Sequence, residues 1–351
     1  MPEQPHSAPS SDPLTEVGGP EPHPAAPDGA LRGRDLLSIA DLSHAEVELL
    51  LARAAGLKAG LAAERAAGAA VPSPASRLPL ARRSVALLFE HPSLRTRVSF
   101  EAGMTQLGGH AIDLSGDRVG LGRRESVADV AHNLERFVDA IVVRTASHPV
   151  VEALAAAASI PVVNALTDLE HPCQALADLL TIRETFGRLD GLVLAFVGDG
   201  NNVFHSLALA GMLTGMEIRL AHPDGHGPSE AVVEAARRLA GGDRSRLVLT
   251  ADPDAAVRGA DVVYTDAWTS MGQEAAADAR RSAFEPYRVD DRLVARAAPG
   301  AVVMHCLPAH RGEEITSEVL DGPRSIVFAQ AENRLHTQKA LLLELLAGGA
   351  A

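Results

Sequence analysis

Val85-Ala86-Leu87-Leu88-Phe89, followed after a short polar turn by Ser93-Leu94-Arg95-Thr96-Arg97, is the stretch that decides the fold. The apolar run has the length of a buried strand and is too short for a buried helix. Beyond it Phe100, Met104 and Leu107 recur at helical spacing, so a helix begins near Ser93. Strand, polar turn and helix start together form the repeating unit of an α/β protein. Backbone N–H groups at the head of such a helix point outward and favour an anion. Two arginines and two hydroxyls at the same place add charge-assisted donors suited to a phosphate. The plain alternative is a capped, solvated helix start.

The same alternation continues along the chain. The first half offers candidate strands at Val85–Phe89, Ala111–Leu114, Ala140–Arg144 and Pro161–Asn164. The second half offers Leu192–Val197, Glu217–Ala221, Leu247–Leu249, Asp261–Thr265, Ala301–Cys306 and Ser325–Ala329. Helical stretches such as Glu230–Leu239 fill the gaps. The expected fold is α/β, with two domains, each a mostly parallel sheet flanked by helices, the second Rossmann-like. The boundaries read as a disordered acidic, proline-rich tail over 1–30, a first domain over 31–168 and a second over 169–334. A last helix, about Leu335 to Leu346 within 335–351, packs back on the first domain. The tail holds eight prolines and neither lysine nor arginine, so it cannot bury enough apolar surface to order. It lacks the basic start and apolar core of a signal peptide. A second loop, Val71 to Leu80, is rich in proline and serine.

Composition excludes several functions. A length of 351 residues suits two domains with a substantial core. A net charge of −13 and a pI near 5.5 argue against nucleic-acid and anionic-membrane partners, so the arginines act locally on a small anion. No apolar stretch is long and charge-free enough to span a bilayer. Cys173 and Cys306 are the only cysteines, which implies no disulfide framework and suits a reducing cytoplasm. Lys58 and Lys339 are the only lysines among 32 basic residues. Each lies in an ordinary helical stretch, so a P-loop and Schiff-base chemistry both lose their essential residue.

Several further motifs sit at strand ends, where α/β sheets carry their sites. Arg144 closes Ala140–Val143. It either joins the anion site or pairs with a structural carboxylate. His171-Pro172-Cys173-Gln174 opens a helix, placing an imidazole and a primary amide on one face. They suit a carbonyl oxygen and an amide nitrogen, or else only a helix cap. Gly198-Asp199-Gly200-Asn201-Asn202-Val203 imitates a dinucleotide fingerprint, but Val203 stands at its third glycine and no ribose-binding acid follows. No nicotinamide cofactor is expected, and the asparagines instead suit a polar substrate. Asp266-Ala267-Trp268-Thr269-Ser270-Met271-Gly272 offers a carboxylate for an ammonium, a hydroxyl, and N–H groups for a carboxylate. It reads equally as a turn beside a buried tryptophan. In His305-Cys306-Leu307-Pro308, Cys306 is a nucleophile, a metal ligand or a polar contact. With His171, Cys173 and His305 a zinc site is conceivable, but the paired Cys-x-x-Cys spacing is missing, so no metal is expected. Arg334, in Glu332-Asn333-Arg334 ahead of the last helix, is one more donor.

These separated motifs, in this order, resemble the aspartate/ornithine carbamoyltransferase family from about Leu36 to the C-terminus. Asp266-x-Trp268-x-Ser270-Met271-Gly272 and the His305–Gly312 stretch resemble its ornithine branch; the aspartate branch has a His-Pro-Leu-Pro-type segment and a loop lysine. The resemblance implies transfer of a carbamoyl group from carbamoyl phosphate to the δ-amine of L-ornithine, giving citrulline and phosphate in arginine metabolism. It implies no cofactor and no covalent intermediate, and an assembly of trimers with sites between subunits. It places Ser93, Leu94 (through its backbone), Arg95, Thr96, Arg97 and Arg144 on the phosphate. His171, Arg334 and Thr96 fall on the carbamoyl oxygen, and Gln174 on its amine. Asn202, Asp266, Ser270 and the Met271 N–H would hold the α-amino-acid end of ornithine, with Cys306 and the Leu307 backbone facing the reacting atoms. Arg144, His171, Asp266, Cys306 and Arg334 make up the implied catalytic set. Leu94 stands where the family often has threonine. Gly120 stands where many ornithine enzymes have a glutamine that reaches the phosphate of a neighbouring subunit. Either Arg118, Arg123 or Arg124 takes over that contact, or carbamoyl phosphate binds more weakly.

Overall fold

A computed structural model describes residues 29–66, 78–91, 93–115, 119–121, 124–240, 246–269 and 277–348. The expected tail therefore lies almost wholly outside the described residues, as does 71–77 of the second proline-rich loop. The first half runs α1 (His44–Ala66), β1 (Ser84–Phe89), α2 (Leu94–Gln106), β2 (His110–Ser115), α3 (Val127–Leu134), β3 (Ala140–Arg144), α4 (His148–Ala157) and β4 (Val162–Leu166). After α5 (Pro172–Phe186) come β5 (Val193–Val197), α6 (Asn202–Leu213), β6 (Glu217–Ala221), α7 (Glu230–Arg238) and β7 (Arg246–Thr250). Then follow α8 (Pro253–Val257), β8 (Val262–Thr265), α9 (Ala277–Phe284), α10 (Asp291–Val294), β9 (Val302–His305), α11 (Ser317–Leu320) and α12 (Val327–Ala347).

The strands form two sheets, ordered β2-β1-β3-β4 and β7-β6-β5-β8-β9. Every pairing is parallel. Helices cover both faces, which is why the central strands read as unbroken apolar runs: Val85 to Leu88 and Ala140 to Val143 are fully buried. In each sheet the winding reverses beside the first strand, between β1 and β3 and between β5 and β8. Ligands of open parallel sheets bind past the carboxyl ends at such reversals. The strand order alone therefore marks two places for chemistry.

The expected strands are found with ends shifted by one or two residues at most, except Ser325–Ala329. There Ser325 makes one isolated bridge to Val303, the Ile326 N–H donates to the Val303 carbonyl at 3.0 Å, and the chain turns at once into α12. So short an apolar run does not separate strand from helix by itself. The last helix consequently begins at Val327 rather than near Leu335, and Glu332-Asn333-Arg334 lies inside it.

α12 joins the first half to α5. Arg53 Nε meets Glu344 Oε1 at 3.0 Å, and Lys58 Nζ donates to Asn333 Oδ1 at 2.8 Å, tying it to α1. Lys339 Nζ reaches Gln106 Oε1 of α2 at 2.9 Å, and Asn333 Nδ2 reaches Thr181 Oγ1 of α5 at 2.9 Å. Both lysines of the chain thus anchor this helix.

The helix also buries His336, whose pKa is lowered to about 4 by burial and then by the Lys339 ammonium. An unfolded chain titrates histidine near about 6.5. As pH falls from there toward 4, the unfolded state takes up a proton that the folded state refuses, so stability drops with falling pH. His336→Asn should flatten part of that slope in urea midpoints measured across the window; an unchanged slope would contradict the assignment.

Candidate active site

The first reversal carries the cationic half. Ser93 is the N-cap of α2 and makes no capping hydrogen bond with its side chain among the described residues. Leu94 faces outward, 76% exposed, so only its backbone lies toward the site. Thr96 is buried, and its Oγ1 accepts from Arg334 Nη2 at 2.7 Å. Arg334 Nη1 donates to Gln174 Oε1 at 2.6 Å, while its Nε is buried without a hydrogen bond among the described residues. Arg144 closes β3, the strand beside β1. Burial, then the like charges of Arg334 and Arg95, pull its pKa down to about 10. Three guanidinium groups are therefore gathered where the sheet reverses.

His171, N-cap of α5, is buried beside them, and its Nδ1 has no partner among the described residues. Burial, followed by the charges of Arg334, Arg144 and Arg95, holds its pKa well below the usual histidine range. The imidazole is neutral at neutral pH and serves as a hydrogen-bonding group rather than a fourth cation. Gln174 is buried with both ends engaged, its Nε2 donating to Asp178 Oδ1 at 2.8 Å. Arg97 stands apart from the cluster. It pairs with Glu101 at 2.9 Å and Asp113 at 3.2 Å and is half exposed. The helix turns it away from the face that carries Thr96.

The second reversal carries the polar half. Asn201 is the N-cap of α6, its Oδ1 accepting from the Val203 and Phe204 N–H groups. Its Nδ2 donates to Asp266 Oδ2 at 2.7 Å. Asp266 Oδ1 accepts from the Ala267 N–H at 2.8 Å and from Cys306 Sγ at 2.9 Å. Burial first, then the Asp266 carboxylate, push the Cys306 thiol well above the ordinary range, so at neutral pH it is an S–H donor and not a thiolate. Cys173 is pushed up to about 12 by burial and lies against the Asn164 carbonyl at 3.6 Å, a structural thiol. Asn202 Nδ2 donates to the Thr167 carbonyl at 2.5 Å, joining α6 to the segment before α5. Ser270 and Met271 lie outside the described residues.

One contact closes the two halves on each other: Arg95 Nη2 donates to the Leu307 carbonyl at 2.5 Å. Leu307 has φ of +58°, a left-handed backbone disfavoured for a branched side chain. It is held there by its own N–H, which donates to His305 Nδ1 at 2.8 Å.

One cluster of potential metal-ligating atoms is already committed to hydrogen bonds. Ligand atoms of Asp266, His305 and Cys306 lie within 4.8 Å of one another. However, His305 accepts at Nδ1 and meets Glu314 Oε1 through Nε2 at 3.0 Å, and the other two bond each other. The glycine turn after β5 is filled by the chain itself. A Cβ on Gly200 would meet Pro228 N at 2.4 Å, and Asp199 is bonded to Arg280. Gly120 has φ of +63°, and an added Cβ would meet Arg124 Cγ at 2.9 Å, so this backbone favours glycine. Arg118 and Arg123 lie outside the described residues.

Sequence reasoning did not single out Asn201 as the residue that orients Asp266, although an asparagine opening a helix is the expected cap. It also passed over Asp178, four residues after Gln174, where a carboxylate inside an apolar helix is a visible anomaly.

Family models match almost the whole described chain. Residues 34–184 match "Aspartate/ornithine carbamoyltransferase, carbamoyl-P binding domain", and 190–345 match "Aspartate/ornithine carbamoyltransferase, Asp/Orn binding domain". The chain is 51% identical over 317 residues to the ornithine carbamoyltransferase of Anoxybacillus flavithermus, covering 90% of this chain and 98% of that one. It is 52% identical over 316 residues to that of Thermosynechococcus vestitus, covering 90% and 97%. The solved ornithine carbamoyltransferase from Pyrococcus furiosus is similar with a TM-score of 0.85 at 46% identity, covering 91% of this chain and 98% of that one.

The two thiols give a direct check. Because both are held protonated, native protein at pH 7.5 should react with iodoacetamide far more slowly than a free cysteine, with unfolding in urea releasing both. Rapid native alkylation of Cys306 would show a thiolate there.

Proposed function

The chain belongs to the aspartate/ornithine carbamoyltransferase family, and from that premise we propose how its own residues divide the work. The reaction is transfer of the carbamoyl group of carbamoyl phosphate to ornithine, giving citrulline and phosphate. Arg95, Arg144 and Arg334, with the Ser93 and Thr96 hydroxyls and the backbone at Leu94, receive carbamoyl phosphate at the head of α2. The observation that carries this is the gathering of three guanidiniums, two of which have neutral hydrogen-bonded partners among the described residues: Gln174 and Thr96 for Arg334, and the Leu307 carbonyl for Arg95. The charge of these two is thereby left for a ligand anion. Arg97, paired to two carboxylates, supports the helix start instead.

His171 and Arg334 face the carbamoyl oxygen. The neutral δ-nitrogen of ornithine forms a bond to the carbamoyl carbon and the oxygen gains negative charge. The bond from that carbon to the phosphate oxygen then breaks. Phosphate leaves into the arginines and takes the proton released by nitrogen. Donors fixed in advance on the developing oxyanion and the leaving phosphate lower the barrier without reorganising, and holding both reactants in line supplies much of the rest. Gln174 positions Arg334 and lies on the side of the carbamoyl amine. Asp266, oriented by Asn201, with Asn202, Ser270 and the Met271 N–H, takes the α-amino-acid end. Cys306 and the Leu307 backbone face the reacting atoms, Cys306 as a hydrogen-bond donor.

We further read 31–168 as the carbamoyl phosphate unit, 169–334 as the ornithine unit, and the working protein as a cytoplasmic trimer or multiple of trimers. The exposed Leu94 and Val98 on one side of α2 support a subunit contact beside the site.

Arg144→Leu should lower kcat/KM for carbamoyl phosphate by about 100-fold or more, the loss expected for one preorganised donor on developing charge. Arg97→Leu should do much less. Equal losses would place Arg97 in the phosphate site after all. With a panel of amines, ornithine should react fastest, because Asp266 favours a free α-amino group; faster carbamoylation of putrescine would overturn the acceptor assignment.

A further inference from the structure

We infer that Asp178 is a positioning residue that holds the two halves of the site in one frame, acting through Gln174 on Arg334 and through Gln330 on the end of β9. The inference rests on the carbamoyl-transfer reading above. Asp178 lies in the middle of α5 and is fully buried, with its two oxygens taken by Gln174, Gln330 and Tyr264, so it acts through those neighbours.

The argument is one of hydrogen-bond polarity. The Arg334 guanidinium only donates, so it forces Gln174 to turn its oxygen toward it, at 2.6 Å. The His305 N–H only donates, so it forces Gln330 to do the same, at 3.0 Å. Both glutamines are then left pointing NH2 groups into the same buried spot. Asp178 Oδ1 takes both, each at 2.8 Å. Its Oδ2 accepts from the Tyr264 hydroxyl at 3.2 Å, and that hydroxyl accepts from Gln330 Nε2 at 2.9 Å. Every element of the network ends at a working part. Gln174 leads to Arg334 and Thr96, Gln330 to His305 beside Cys306, and Tyr264 sits on β8 two residues before Asp266. An apolar residue at 178 would take the acceptor from the buried Gln174 NH2 and the Tyr264 hydroxyl and leave the Gln330 NH2 with Tyr264 alone, and relieving this means flipping an amide against Arg334 or against β9.

The test is citrulline formation by full-length wild type, Asp178→Leu and Asp178→Asn, with folding checked by circular dichroism. Asp178→Leu should lower kcat by about tenfold or more and raise KM for both substrates together, a size typical of coupled network residues. Asp178→Asn keeps an oxygen for the two glutamines and should recover to within about fivefold of wild type. A folded Asp178→Leu enzyme with unchanged kcat and KM, whatever its melting temperature, would overturn the inference. Should Asp178→Leu fail to fold, the double-mutant cycle Gln174→Ala with Gln330→Ala decides. Among the described residues these side chains meet through Asp178 and Tyr264, so their effects on kcat/KM should be non-multiplicative by about fivefold. Independent losses would overturn it. Absence of citrulline formation by the wild type would sink the carbamoyl-transfer reading instead, which keeps the two failures apart.

Discussion

Burying several guanidinium groups side by side is the constraint on which the rest of this structure depends. Each charge is withdrawn from water and like charges oppose one another; burial first, then Arg334 and Arg95, depress the pKa of Arg144. A protein could relieve this by supplying carboxylates, as it does for Arg97 on the outer face of α2. For Arg334 and Arg95 it supplies neutral oxygens as hydrogen-bond partners instead: a hydroxyl, an amide and a backbone carbonyl. These hold the two side chains in place without forming an ion pair. Burial first, and then the same charges, keep His171 neutral, so the cationic cluster also bears on the protonation state of its neighbour.

Holding such a cluster needs support from outside its own sheet. Arg95 comes from α2 and Arg144 from β3, but Arg334 comes from a helix at the far end of the chain. α12 can deliver it because Arg53, Lys58, Lys339 and Asn333 fasten that helix to α1, α2 and α5. The opposite half depends on a comparable device. Asn201 caps α6 with its oxygen and grips Asp266 with its nitrogen, so the helix start and the carboxylate are fixed by one side chain. The Arg95 contact to Leu307 then links the ends of the two sheets at their reversals.

Much of this was legible in the sequence. Strand positions follow from short apolar runs, and Ser93, Thr96, Arg144, His171, Asp266 and Cys306 stand at strand ends or helix starts, where parallel sheets expose chemistry. The alternation fails at Ser325–Ala329. One bridge to Val303 and the start of a long helix share the same apolar residues there, and only the packing of Gln330, Asn333 and Arg334 inward selects the helix.

Local periodicity and the order of motifs were enough to specify the two parallel sheets, the residue types at their reversals and the family resemblance. The packed three-dimensional arrangement settled which arginines share the cluster. Arg95 and Arg97 are two apart in sequence, and helix geometry sends one toward Leu307 and the other toward Glu101 and Asp113. It likewise decided that Asp178, Gln330 and Tyr264 meet, since hydrogen bonds between residues so far apart in the chain exist only once α5, α12 and β8 are packed together.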